Sequence, residues 1–190
     1  MKAKIIHLAP ITGEITYEVA EELRSCAPIL SLDAQGFLRN FDGNGCVTLE
    51  QPRDRRILKL IDIFKSTRKE IQTLTGLLDV DSAIASVHEN GVRIVIVTLG
   101  AEGALVSVED TIHKIAAYKP EKVVDPTGAG DTFIGAFLAE YARGEDCAWC
   151  SHVGSAAASL VVEGIGPTSF RDKEEIYRRT RTLYEKEIKE

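Results

Sequence analysis

The densest chemistry in the chain lies in Asp125-Pro126-Thr127-Gly128-Ala129-Gly130-Asp131-Thr132-Phe133. Gly128 and Gly130, separated only by Ala129, let the backbone turn tightly and let a ligand approach the main chain. An apolar helical pattern starts near Thr132, so several N–H groups around residues 128–132 are expected to lack helical acceptors. Unpaired donors and the positive end of a helix dipole together make an anion site. Asp131 places a carboxylate at that site, which disfavours simple binding of a phosphate. It suits a base that takes the proton from a hydroxyl attacking the phosphate. The plainer alternative is a glycine-rich turn with Asp131 as helix cap.

The elements that must position this stretch read as alternating strands and helices. Ala3 to Leu8 reads as a strand, Glu14 to Ser25 as a helix, and Pro28 to Leu32 as a second strand delivering Asp33. That βαβ order predicts a parallel sheet, whose ligands gather at the carboxyl ends of the strands. His7 and Asp33 fall near those ends, with a satisfied strand histidine the simpler account of His7. Residues 34–51 read as a loop, and Arg53 to Leu60 as a helix start before the short strand Ile61 to Lys65. Glu70 to Gly76 reads as a helix closed by glycine. Asp79 to Asn90 reads as another, with Ile84, Ala85 and Val87 inward.

Val92 to Leu99 is dense in Val and Ile and reads as a central strand buried on both faces. A hairpin is expected from Ala104 to Val108 and Thr111 to Ala117, joined at Glu109-Asp110. A β-rich segment then ends near Val124. Helices are expected from Thr132 to Arg143 (Phe133, Ala136, Phe137 and Tyr141 inward), from Cys147 to Val162 capped by Asp146, and from Arg171 to Glu190. The last carries a stripe of Ile176, Tyr177, Leu183, Tyr184 and Ile188.

The 190 residues suffice for one domain with a core, and 44% hydrophobic and 27% charged residues argue against disorder. A net charge of −6 argues against nucleic acid or an anionic membrane as partner. No apolar run approaches bilayer length, and the N-terminal apolar stretch is too short for a secretory signal, so a cytoplasmic protein is expected. Cys147-Ala148-Trp149-Cys150 offers a redox pair or half a zinc site. Two small apolar residues on one helix face are the simpler account.

The string D-P-T-G-A-G-D-T-F, followed by Ile134, Gly135, Ala136 and Phe137, closely resembles the second signature of the ribokinase-like, or PfkB, family of carbohydrate kinases. The resemblance runs from about residue 4 to residue 170. Asp33-Ala34-Gln35-Gly36-Phe37-Leu38-Arg39 and Thr98-Leu99-Gly100-Ala101-Glu102-Gly103 resemble family segments in the same order, the second being the nucleotide-binding turn. It implies an α/β ribokinase-like fold, a mainly parallel sheet flanked by helices, as a single domain over residues 1–190. Measured against the family pattern, the N-terminal lid and first strands would be missing, which would leave a sheet edge and an apolar face open to oligomerisation, as in a homodimer, or to aggregation.

The resemblance also implies ATP and Mg2+ as cofactors and a sugar-like acceptor. Gly128, Ala129 and Gly130 would form the anion hole and Asp131 would be the base. Thr67, Thr98, Gly100, Gly103, Gly130 and Ser155 would contact the nucleotide. Glu70 would hold Mg2+ through water. Asp125, Thr127, Gly166 and Ser169 would hold a monovalent cation such as K+. Two departures stand out: Thr67 replaces the family's asparagine three residues before Glu70, and Ser155 stands where many members carry asparagine. A nucleotide-binding module without catalysis is the competing expectation, and a structural remnant the third.

Overall fold

In the computed structural model, residues 3–52, 54–109, 111–166 and 171–187 are described. Two compact units make up the chain, Met1–Thr98 with Ser107–Ile112, and Leu99–Val106 with His113–Glu190.

The first unit is built on parallel strands. β1 (Ile5–Leu8), β2 (Ile29–Asp33), β5 (Ile63–Thr67) and β6 (Ile94–Thr98) pair in that order, all parallel. β6 has four consecutive buried residues, Ile94 to Val97, as a two-sided core strand must. Around these strands lie α1 (Tyr17–Arg24), α2 (Gln35–Leu38), α3 (Arg68–Thr75) and α4 (Val80–His88). Phe64, Leu30 and Leu32 on the strands and Ile71, Leu74, Ile84 and Val87 on the helices form the core. The side chain of Thr16 caps α1, which is shorter than its apolar pattern suggests. Asp79 caps α4 by accepting from the Ser82 amide, and Gly76 ends α3 in the left-handed conformation. On α4 the inward positions are Ala83, Ile84 and Val87; Ala85 faces solvent.

Residues 34–51 are more regular than expected. After α2, β3 (Arg39–Phe41) and β4 (Val47–Leu49) form an antiparallel hairpin. Asp42 closes it, its Oδ1 accepting from the amides of Asn44 and Cys46 at 2.8 and 2.9 Å. The expected helix start at Arg53 is instead a 3₁₀ turn over Arg56–Leu60, and Arg53 lies outside the described residues.

β7 (Ala104–Val108) and β8 (Thr111–Ile115) follow β6 in the strand order β1-β2-β5-β6-β7-β8. Asp110, in the expected turn between them, lies outside the described residues. The expected β-rich segment ending near Val124 is corrected: strand structure stops at Ile115, and residues 116–128 are irregular.

The second unit packs three helices: α5 (Ala129–Tyr141), α6 (Cys147–Val161, capped by Asp146) and α7 (Lys173–Glu187). Phe133, Ile134, Phe137, Val153, Ala156, Leu160 and Leu183 supply its core. α5 passes so close to α6 that only glycine fits at position 154. A Cβ there would lie 2.9 Å from the Phe133 carbonyl oxygen and 3.2 Å from its ring. Trp149 and His152 of α6 meet the rings of Tyr177 and Tyr184 of α7 edge-on. Ile188 of the expected stripe lies outside the described residues.

Candidate functional site

The second unit holds the glycine-rich loop, and the loop is fastened residue by residue. The amides of Val124 and Asp125 both donate to the Val162 carbonyl at the end of α6, at 2.7 and 3.3 Å. Asp125 Oδ1 accepts from the Thr127 amide at 2.9 Å, and hydrogen bonds from the Thr127 side chain and backbone hold its carboxyl below the usual range. The Ala129 amide donates to the Pro126 carbonyl at 3.1 Å. Gly128 then occupies the cap position of α5 in the left-handed region, φ +80°, with no side-chain cap. An L-residue strains there, so glycine is the fitting choice.

The helix therefore starts three residues earlier than expected, and Asp131 lies within its first turn rather than at its cap. The first helical bond is Thr132 N–H to Gly128 C=O at 2.9 Å. Among the described residues nothing accepts from the amides of Gly128, Gly130 and Asp131. Of the three residues expected to form an anion hole, Ala129 has its amide engaged in closing the turn. The Asp131 side chain is exposed beside these donors. An uncapped helix start with three free donors fits a phosphate, and the adjacent carboxylate fits a hydroxyl proton.

The expected nucleotide turn is a 3₁₀ turn over Gly100–Glu102, closed by Leu99 N–H to Gly103 C=O at 2.8 Å. Gly100 and Gly103 both have positive φ, +63° and +99°. A Cβ on Gly103 would lie 2.0 Å from the Ile115 carbonyl oxygen, so position 103 tolerates no side chain. Ser155 is 7% exposed; its hydroxyl donates to the Ala116 carbonyl (2.9 Å) and accepts from the Tyr118 amide (3.2 Å). It thus clips the irregular segment after β8, whose backbone has no ladder partner.

Thr67 and Glu70 lie in the first unit. Thr67 Oγ1 accepts from the Glu70 amide at 3.3 Å, and Glu70 Oε2 accepts from the Thr67 amide at 2.7 Å. This is a reciprocal capping box, and it buries Glu70 to 7% exposure. One carboxylate oxygen of Glu70 is thus committed to the start of its own helix. Among the described residues no three His, Cys, Asp or Glu side chains group as metal ligands. For the monovalent cation, Asp125 Oδ1 is engaged by the Thr127 amide. Gly166 is a turn residue at φ +57°, and Ser169 lies outside the described residues.

Polar pairs step across the parallel strands toward their carboxyl ends. His7 is in register with Ser31, Asp33 with Lys65, and Thr67 with Thr98, so all six share one sheet face. His7 Nδ1 lies 3.0 Å from Ser31 Oγ, a satisfied strand histidine as expected. Lys65 Nζ donates to Asp33 Oδ2 at 2.7 Å, with both side chains under 5% exposed. Thr98 Oγ1 donates to the Ser66 carbonyl at 3.3 Å. Lys65 drew no attention in the sequence, although a lysine inside an apolar strand next to an aspartate-bearing one is its signal. The Thr-x-x-Glu spacing was likewise a readable capping-box signature.

Arg179 is the other residue the sequence reading missed. It interrupts the apolar stripe of α7 between Ile176 and Leu183, and it is only 6% exposed. Cys147 is half-buried; Cys150 is buried, and burial pushes its thiol up to about 12.

Comparison with known proteins places this geometry. The model of the pfkB family of carbohydrate kinases matches residues 2–174. A nucleoside kinase of Methanothermobacter thermautotrophicus is 33% identical over 93% of this chain and 54% of its own length. A cytidine kinase of Thermococcus kodakarensis is 31% identical over 89% of this chain and 59% of its own. Among solved structures, a pyrophosphate-dependent kinase in the ribokinase family, complexed with a pyrophosphate analogue and myo-inositol, superposes with a TM-score of 0.81. It is 25% identical, over 94% of this chain and 64% of that one. Arabidopsis thaliana ribokinase, complexed with ribose and ATP, gives a TM-score of 0.77 at 28% identity, over 94% of this chain and 56% of that one. The chain thus spans a little over half the length of the curated relatives it matches. Among the described residues no helix is long and apolar enough to cross a membrane.

Proposed function

The chain belongs to the pfkB family of carbohydrate kinases, with a ribokinase-like α/β fold, and from this we propose that it carries the donor-phosphate site and the catalytic base of an ATP-dependent kinase acting on a hydroxyl of a sugar or nucleoside. The observation that carries the proposal is the uncapped start of α5 with Asp131 in its first turn. The amides of Gly128, Gly130 and Asp131 receive the negative oxygens of the transferring phosphoryl group, where their fixed dipoles act without reorganisation. Asp131 takes the proton of the acceptor hydroxyl. The freed oxygen forms a bond to the γ-phosphorus as the bond to the β-phosphate oxygen breaks, leaving ADP. The glycine turn at Gly100–Gly103 presents backbone close to the nucleotide. The names of the relatives support a nucleoside or a pentose as acceptor.

A second reading is a nucleotide-binding module without catalysis. The self-satisfied Thr67–Glu70 box favours it, because it withdraws two groups expected to serve the phosphate. One comparison separates the two. Phosphoryl transfer from ATP to ribose and to nucleosides is measured for the parent and for Asp131→Asn. The kinase reading expects a rate loss of about 10²- to 10⁴-fold in the variant with ATP binding retained. Equal rates in the two proteins would remove Asp131 from the mechanism, and ATP binding without any phosphorylated product would favour the second reading.

A further inference from the structure

The loop that ends at Gly128 is fastened to groups that converge on one buried cation. Arg179 Nη1 donates to Ser159 Oγ at 2.9 Å and to Glu163 Oε1 at 3.0 Å, and Nη2 donates to Glu163 Oε2 at 3.1 Å. Nε donates to Glu175 Oε1 at 2.8 Å, and the guanidinium lies 4.8 Å from the centre of the Tyr118 ring. A planar fork meeting a carboxylate with two parallel bonds is a geometry lysine cannot reproduce. Glu163 carries the connection onward: its Oε1 also accepts from the Glu121 amide at 3.2 Å. Its neighbour Val162 accepts from Val124 and Asp125, Asp125 holds Thr127, and Pro126 holds Ala129. From residue 121 to residue 129 the irregular segment is tied down at every second or third position. Of these ties the one at Glu121 runs through Glu163 to Arg179, and Glu163 adjoins Val162, which takes the next two. The family model ends at residue 174, five positions before this arginine.

We infer that Arg179 is a positioning residue for the phosphate loop: through Glu163 and the end of α6 it sets where Gly128, Gly130 and Asp131 stand. A brace of the helices alone would need only the bonds to Ser159 and Glu175. The bidentate hold on Glu163, with Tyr118 stacked beneath, is directed at the segment that enters the loop. This inference rests on the proposed role of the loop in phosphoryl transfer.

The test uses the whole chain with Arg179→Lys, and with Glu163→Gln should that variant fold poorly. Backbone hydrogen exchange is followed by peptide, beside phosphoryl transfer from ATP. Losing a charged hydrogen bond of about 1.5–3 kcal/mol corresponds to local opening increased by about 10- to 100-fold. That rise is expected in peptides covering 118–131 and not in those covering 150–161. The transfer rate at saturating ATP should fall about tenfold, with the half-saturating ATP concentration changed less than the rate. An unchanged exchange pattern overturns the inference, as does a uniform rise across α5 and α6. So does faster exchange at 118–131 with the parent's transfer rate. A parent chain that neither binds ATP nor transfers phosphate refutes the proposed kinase role instead, while the exchange data still decide whether Arg179 holds the loop.

Discussion

Two helix starts in this molecule face the same physical problem and resolve it in opposite ways. α3 closes its own end: Thr67 and Glu70 each satisfy the other's amide, and the carboxylate is buried in doing so. α5 leaves its end open: Gly128 has no side chain to offer, and three amides stay available beside an exposed Asp131. Both stretches carry motif-like spacing, a threonine or glycine followed three residues on by an acid. What separates structure from chemistry is whether the first-turn donors are consumed. At α3 the acid points back at its own helix; at α5 the acid stands next to donors that have no acceptor among the described residues.

The sharpest way to break this contrast is at the open end. Asp131→Asn should remove the base and cost about 10²- to 10⁴-fold in transfer rate, read by product formation. Gly128→Ala should act next most strongly. A Cβ there would meet nothing within 4 Å, so the cost is conformational, about 1–2 kcal/mol for an L-residue at φ +80°. Calorimetry should show ATP affinity reduced by about tenfold, since relaxing the backbone misaims the donors.

At the closed end the readout changes. Thr67→Ala should cost about 1 kcal/mol of stability, lowering the melting temperature by about 2–4 °C, with ATP affinity close to the parent's. A large loss of affinity with unchanged melting would show that α3 is also a ligand site, and the contrast would collapse.

The smallest effect concerns the brace behind the open end. Hydrogen bonds from Arg178 and then Arg179 hold the Glu175 carboxyl down at about 2. The unfolded value is about 4.3. Since the folded value is the lower one, the stabilisation is full above about pH 4.3 and fades as pH falls toward 2. Melting curves across that window should fall more steeply for the parent than for Glu175→Gln. Parallel curves would mean that the ion pairs contribute nothing measurable.

Much of this was legible in the sequence, for reasons that differ by region. The parallel strands showed because Ile94 to Val97 and Ile63-Phe64 are apolar on both faces, a pattern few other elements produce. The glycine turn before α5 showed because Gly128 and Gly130 stand directly ahead of an apolar helical pattern. The β3–β4 hairpin escaped notice because its strands are three residues long and expose Phe41 and Val47, so no alternation marks them. Its Asn44-Gly45 turn was the signal available. The engagement of Ser155 by the backbone was invisible, since it depends on residues 116–118 forming no ladder and needing a side chain to satisfy them. Arg179 was hidden by its own stripe: a charge amid apolar positions reads as surface until its three partners are placed around it.

The missing side chain at Gly154 also shapes which sequences near this one can be reached. Glycine inside a helix is the usual target when a protein is made more robust, because alanine there gains roughly 1 kcal/mol of helical preference. In α6 the added methyl would press on the Phe133 carbonyl and ring, two residues along α5 from Asp131. A substitution that any stability-guided redesign would favour therefore bears on the position of the carboxylate proposed as the base. Neutral drift at this residue is closed off by what the neighbouring helix carries and not by anything the residue itself does.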